Sequence, residues 1–449
     1  MNADKPETGD HRGSRRVLIL ASKLGYQTRG FAEAAEKLGV SVVFGTDRCH
    51  QLENPWGDDA LALHFEKPRE AAREIVESLG RNSAGDDSSA REPVAAVIAL
   101  GDRPTPAAAY AAQDLGVAGN SPEAAEVCRS KLRQRETLRA AGIRVPDFFA
   151  FSAGEDLSGV LRRVKFPCVV KPLSLAASQG VIRANDAAEF AGAVNRIRML
   201  LESPEIQVLR EPGTDRLLVE SYVPGREVAV EGLIDLGRLR VLAIFDKPDA
   251  LEGPYFEETI YVTPSRLPDE TQAAIRECAA RAIAALGLTT GPVHAEFRVN
   301  VEGPWVLEVA PRPIGGLCSR ALRFGVERIS LEELLLRHAL RLEGSALERE
   351  DAGSGVMMIP VPRSGIFEGV EGMEDAEKIA SVTEIRITAR LRDYVASWPE
   401  GASYLGFIFA RADSAARVEA ALREAHSKLR FRFSPRLPVE HPVTRQMGI

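Results

Sequence analysis

Cysteine is scarce and unpatterned in this chain. The five present (Cys49, Cys128, Cys168, Cys278 and Cys318) are odd in number and lack CxxC or Cys/His spacing, so neither a disulfide framework nor a zinc site is suggested. Reduced thiols are the expectation. Also missing is any run of about 18 apolar residues, the length a membrane-crossing helix needs. The polar stretch MNADKPETGDHRGSRR has no apolar core of the signal-peptide kind, and a cytoplasmic location away from membranes is expected. Basic residues are not in excess: 57 Lys and Arg stand against 64 Asp and Glu, for a net charge of −7. That balance argues against a general nucleic-acid binder, so any cation that matters acts locally. No GxGxxG follows the first predicted strand, whose turn reads ASKLGYQT, and no dinucleotide site is assigned there. What remains is 449 residues, 45% hydrophobic and 27% charged, enough for two to four domains with real cores.

The pattern along the chain is α/β followed by α+β. Residues 1–14 read as a polar tail. RRVLIL (15–20), a helix-patterned segment to Gly39 and SVVFGT (41–46) then read as β-α-β, the start of an open parallel sheet. Residues 81–92 have loop composition, PVAAVIALGD (93–102) reads as a buried strand, and TPAAAYAAQDLG as a helix ending at Gly116. This first domain is expected to span 15–122. One helix is expected to start after Ser121-Pro122, carry Lys131 and end at Gly142. FPCVVKPL (166–173) and VIRA flank a small-residue loop, SLAASQG (174–180), before a helical segment. LLVESYVPG (217–225) and REVAVEGLID (226–235) predict a hairpin turning at Pro224-Gly225. An Ala-rich helix is expected over 269–287. From 349 to 449 the composition predicts a separate α+β module.

The densest chemistry lies in HAEFRVNVEGPWVLEVAPRPIGG, residues 294–316. Two β-rich segments, 293–299 and 305–309, flank a turn-forming stretch. A turn centred on Glu302 would set Glu296 and Glu308 opposite each other. Cross-strand neighbours lie roughly 4.5–5.5 Å apart, and like charges so placed repel. A cation should lie between them, and oxygen donors without cysteine suit Mg²⁺ or Mn²⁺. Arg312 adds a fixed positive charge, and Gly315-Gly316 allow close approach of backbone to an anion. Upstream, Lys171 ends a strand beside the small-residue loop, where N–H groups could hold phosphate oxygens.

In order, a helix lysine, a strand KP, a small-residue loop, VESYVPGRE, HAEF and EVAPR with GG resemble the ATP-grasp superfamily over roughly 125–345, assigned as domain 123–348. Within it the chain most resembles the L-amino-acid ligases, through FDKPDALEGPYFEETIYVTPS (245–265), His294 and GASYLGFIFARADSAARVEAALREA. The resemblance implies an ATP-grasp fold with a central lobe, about 150–235, closing over nucleotide. It implies ATP bound by Lys131, Lys171 and Ser178, with Glu220, Ser221, Tyr222 and Val223 reading adenine and Glu227 holding ribose. It implies metal on Glu296 and Glu308, with Lys171 and Arg312 as the catalytic cations. The carboxylate and amine substrates, expected to be amino acids, would meet Glu258, His294, Arg312, Gly315 and Gly316. A homodimer is common in that family. One departure is Ala310, where many members carry an Asn that binds metal. Two alternatives follow from the same residues: a ligase for a non-amino-acid carboxylate, and an ATP-binding module without catalysis.

Overall fold

A computed structural model describes residues 15–22, 26–47, 60–80, 92–342 and 348–435. The tail 1–14, Cys49 and all but the last residue of the 81–92 loop lie outside them. The first unit is a parallel sheet in the order Ala60–Ala62, Ser41–Thr46, Arg16–Ala21, Val94–Leu100. Its central strand is apolar and Val17, Leu18, Ile19 and Leu20 are fully buried, as a parallel strand covered on both faces requires. The Thr105–Leu115 helix stops at Gly116, whose left-handed φ of 67° lets its N–H close onto Ala112 and Gln113 carbonyls.

Two further sheets frame the site. A four-stranded antiparallel sheet runs Phe148–Ser152, Arg216–Ser221, Cys168–Pro172, Ile182–Ala184. The Ala187–Glu202 helix covers it, capped by Asp186, which accepts from the N–H groups of Ala188 and Glu189. The largest sheet has eight antiparallel strands in the order Gly303–Ala310, Gly291–Asn300, Arg226–Asp235, Arg238–Asp246, Ile260–Thr263, Gly353–Ile359, Gly406–Ala412, Val382–Ile387. A small three-stranded sheet, Tyr394–Val395, Gly365–Glu371 and Arg430–Ser434, stands beside it.

Three local expectations are corrected. The Arg216–Ser221 and Arg226–Asp235 strands do not form a hairpin: each is already paired on both edges, in different sheets. Tyr222 to Gly225 is instead the crossover from the smaller sheet to the larger. Gly225 adopts φ +125°, and a Cβ there would lie 2.3 Å from the Val299 carbonyl oxygen, so the glycine serves close approach of two backbones. The helix expected over Ser121 to Gly142 is two, Pro122–Arg129 and Lys131–Ala140. Ser130 divides them because its extended backbone and side chain, accepting from Arg133 N–H, cap a new helix. The C-terminal α+β region is separate only in part: three of its strands continue the eight-stranded sheet beyond Ile260–Thr263, while Tyr394–Val395, Gly365–Glu371 and Arg430–Ser434 form a sheet of their own. No helix among the described residues is long and apolar enough to cross a membrane.

Candidate active site

The site begins with an irregular hairpin. Asn300 pairs with Gly303 and Phe297 with Val306, so the turn is centred between Val301 and Glu302, half a residue short of the expected centre. A regular ladder would then pair Glu296 with Leu307 and send Glu308 to the opposite face. A β-bulge between Glu296 and Phe297 restores the register, and Glu296 stands opposite Glu308. The bulge also turns the Leu307 carbonyl toward Arg135, which donates to it from Nη2.

Glu296 and Glu308 lie on the wall of a cleft of about 850 Å³ between the two antiparallel sheets. The same cleft is lined by Lys131, Lys171, Ser178, Glu220, Ser221, Tyr222, Val223 and Glu227, so the structure brings together every residue expected on the nucleotide side. Lys171 Nζ lies 2.7 Å from Glu220, whose other oxygen accepts from Arg135 at 2.8 Å. Burial alone would raise the Glu220 carboxyl, yet the Arg135 and Lys171 charges hold it below the ordinary range. Burial pushes the Lys131 ammonium down, opposed by Glu308, and Lys131 donates to the Leu175 carbonyl.

The crossover supplies an edge for a planar ligand. Tyr222 N–H is used by Pro167 O at 3.1 Å and Val223 O accepts from Arg298 at 3.0 Å. Val223 N–H has no acceptor among the described residues. Over the other side lies the small-residue loop, where Ala177 and Ser178 both take φ +55°. Left-handed backbone costs a non-glycine residue about 1–2 kcal/mol, so outside contacts must hold it. They come from the C-terminal region: Gly180 N–H donates to Pro399 O at 2.9 Å, Gln179 to Glu400 O at 2.7 Å, and Trp398 Nε1 to Ala177 O at 3.3 Å.

The residues expected on the substrate side do not line the cleft. They sit beyond Glu296. His294 Nδ1 is 3.1 Å from Glu231 and its Nε2 is 3.6 Å from Glu296. Burial would lower this imidazole, but the bonds to Glu231 and Glu296 prevail and raise it to about 8. Glu258 accepts from Tyr261 Oη at 2.7 Å and from Lys247, and burial pushes its carboxyl up to about 7. Arg312 is held by a two-pronged ion pair to Asp102, at 2.9 and 3.2 Å, across from the parallel-sheet unit. Gly315 is exposed with open space where a side chain would stand, whereas a Cβ on Gly316 would crowd Phe407.

Four charged residues here escaped the sequence reading: Lys247, Arg298, Arg135 and Asp102. Arg298 braces the crossover, donating to Glu227, Tyr222 Oη and the Val223 and Leu251 carbonyls. Lys247 contacts Glu227, Glu258 and Glu296. Arg298 carried a signal, since His294, Glu296 and Arg298 alternate on one strand face. Arg135 did too, one helical turn after Lys131. Lys247 and Asp102 each follow an apolar strand and had none.

The donor set suits one hard divalent cation. Glu296 is ionised, because Lys247 and His294 outweigh the burial that would raise it and hold it well below the usual carboxylate range. Glu308 makes no ion pair among the described residues and faces it across the ladder. Oxygen donors at the mouth of a lysine-lined cleft are the kind Mg²⁺ takes when it also binds phosphates.

Residues 164–321 match the model of an ATP-grasp domain, and residues 357–434 that of the L-amino acid ligase C-terminal domain 2. The fold is similar to that of the L-amino acid ligase from Bacillus licheniformis, with a TM-score of 0.77 and 28% identity over 94% of this chain and 99% of that one. In sequence the chain is similar to the alanine–anticapsin ligase of Bacillus subtilis strain 168, 26% identical over 307 residues, or 64% of this chain and 62% of that protein. It is also similar to the D-alanine–D-alanine ligase of Laribacter hongkongensis, 28% identical over 194 residues, 42% of this chain and 58% of that one. The chain spans just under two thirds of the length of the curated relatives it matches, 65% and 62% for the first two.

Proposed function

Because this chain is an ATP-grasp protein that carries the C-terminal domain of the L-amino acid ligases, we propose that it is an ADP-forming carboxylate–amine ligase that joins two amino acids or closely related compounds. The observation that carries the reading is the cleft itself: both lysines, the crossover edge and the opposed Glu296–Glu308 pair line one space.

A carboxylate is a poor acyl donor because oxide would have to leave. ATP removes that difficulty: the substrate carboxylate oxygen attacks the γ-phosphorus, the bond to ADP breaks, and an acyl phosphate results. The amine nitrogen then attacks the acyl carbon, the C–O bond to phosphate breaks, and a proton is lost from nitrogen. Products are the amide, ADP and inorganic phosphate. Mg²⁺ (or Mn²⁺), held by Glu296 and Glu308, would supply charge neutralisation at the phosphates. The protein's own part is positioning and electrostatics. Lys131 and Lys171 offer ammonium groups to phosphate oxygens, and Ser178 with the loop N–H groups covers them. Glu220, fully occupied by Arg135 and Lys171, acts by orienting that lysine. Val223 N–H offers a hydrogen bond to the adenine edge. Glu227, engaged by Lys247 and Arg298, can take a ribose hydroxyl only by sharing those oxygens. Arg312, steered by Asp102, stands ready to neutralise the transferred phosphoryl group. Glu258 and His294 face the substrates, the former while shared with Lys247, and Gly315 leaves room beside them.

The test is Glu308→Ala, assayed with pairs of amino acids for amine-dependent ADP release and with mass spectrometry of the product. Loss of one charge-stabilising group of this kind costs on the order of 10²–10³ in rate. A folded variant with undiminished turnover removes the assignment.

A further inference from the structure

Lys247 follows the Arg238–Asp246 strand and projects into three glutamates. Its Nζ lies 2.9 Å from Glu227 and 3.3 Å from Glu296, and it also donates to Glu258. The Tyr261 ring closes one side, 5.1 Å from the ammonium. One oxygen from each glutamate falls within 4.8 Å of the others, the spacing of ligands around a divalent ion. Yet the centre of that space is filled. Lys247 is only 3% exposed, and no other basic side chain bridges all three acids among the described residues. Buried carboxylates this close need a cation between them; here the chain provides it covalently.

Ala310 points the same way. It pairs with His294 two positions along the ladder from the Glu296–Glu308 pair, and its methyl group offers no ligand for a second metal. We propose that Lys247 is a tethered cation filling the Glu227–Glu258–Glu296 cluster in place of a metal, so that this protein works with one divalent ion, shared by Glu296 and Glu308, and excludes another. The inference rests on the ligase reading for its nucleotide. It makes Lys247 a positioning residue, acting through Glu227, Glu258 and Glu296.

The experiment counts Mn²⁺ by electron paramagnetic resonance and calorimetry in the full chain saturated with a non-hydrolysable ATP analogue. Wild type is expected to bind one Mn²⁺ per chain, Lys247→Arg also one, and Lys247→Met two, because the freed glutamates become ligands. Two ions in the wild type, or an unchanged count in Lys247→Met, overturns the inference. Should Lys247→Met prove too unstable for calorimetry, its thermal midpoint is followed with Mn²⁺ and no nucleotide. A rise absent from the wild type supports the tethered cation, and no rise overturns it. Binding of the analogue is read separately: a wild type that does not bind it sinks the ligase reading, whereas one that binds it with two ions sinks only the present inference.

Discussion

Among single residues, Glu257 shows how tightly the region beside the cleft is drawn. It accepts a hydrogen bond from Val361 N–H at 3.3 Å, and burial pushes its carboxyl up to about 7 despite that bond. A carboxyl whose folded value is raised binds its proton better in the folded state, so its contribution favours folding at low pH. That contribution fades as pH rises from about 4.5 through about 7. Glu257→Gln should flatten this part of the profile, measured as urea midpoints across the window; an unaltered slope would show that the group ionises freely. Its neighbours illustrate what was legible residue by residue. The acids, lysines and Arg312 stood out because phosphate chemistry demands those types in that order. Lys247 and Asp102 did not, because a charged residue after a strand looks the same whether it meets solvent or a distant carboxylate. Asp102 and Arg312 are 210 positions apart, and nothing local links them.

For whole elements, the hairpin and the crossover teach opposite lessons. The Glu296–Glu308 pairing was anticipated, but from a slightly misplaced turn, and an unforeseen bulge at Leu307 corrects the register. Composition marks a turn; it does not mark an extra residue in a ladder. Pro224-Gly225 has the composition of a hairpin turn because β-rich segments flank it. Which strand edges are already taken depends on Phe148–Ser152, Cys168–Pro172 and Gly291–Asn300, all remote in sequence. The crossover carries a sharp expectation. Gly225→Ala must place a methyl group against Val299 O at a positive φ, a strain of about 1–3 kcal/mol. Thermal melting should show that loss, and equilibrium binding should show weaker affinity for ATP because the Tyr222–Val223 edge shifts with it. A variant that melts and binds as wild type would mean the crossover is slack.

Over the whole molecule, the first β-α-β unit, the 291–310 hairpin and the C-terminal helix Ala415–Lys428 are readable from the residue pattern, while the joining of strands into sheets is not. The C-terminal region extends the large sheet and also fastens the 174–180 loop, part of the cleft lining, through Trp398, Pro399 and Glu400. Arg196 of the covering helix adds an ion pair to Glu400. Trp398→Ala should therefore speed amide hydrogen exchange at Gly180, whose N–H is held by Pro399 O, by several-fold as local opening becomes easier. Unchanged exchange would show that the loop holds its left-handed turn unaided. The eight-stranded sheet has a consequence for synthesis as well. When a ribosome has completed Ile260–Thr263 and even the acidic hairpin, the strand that will cover that edge, Gly353–Ile359, has yet to be made. The nascent chain thus carries a bare β-edge on its largest sheet, where another polypeptide could dock in its place, until Gly353–Ile359 is made and seals it.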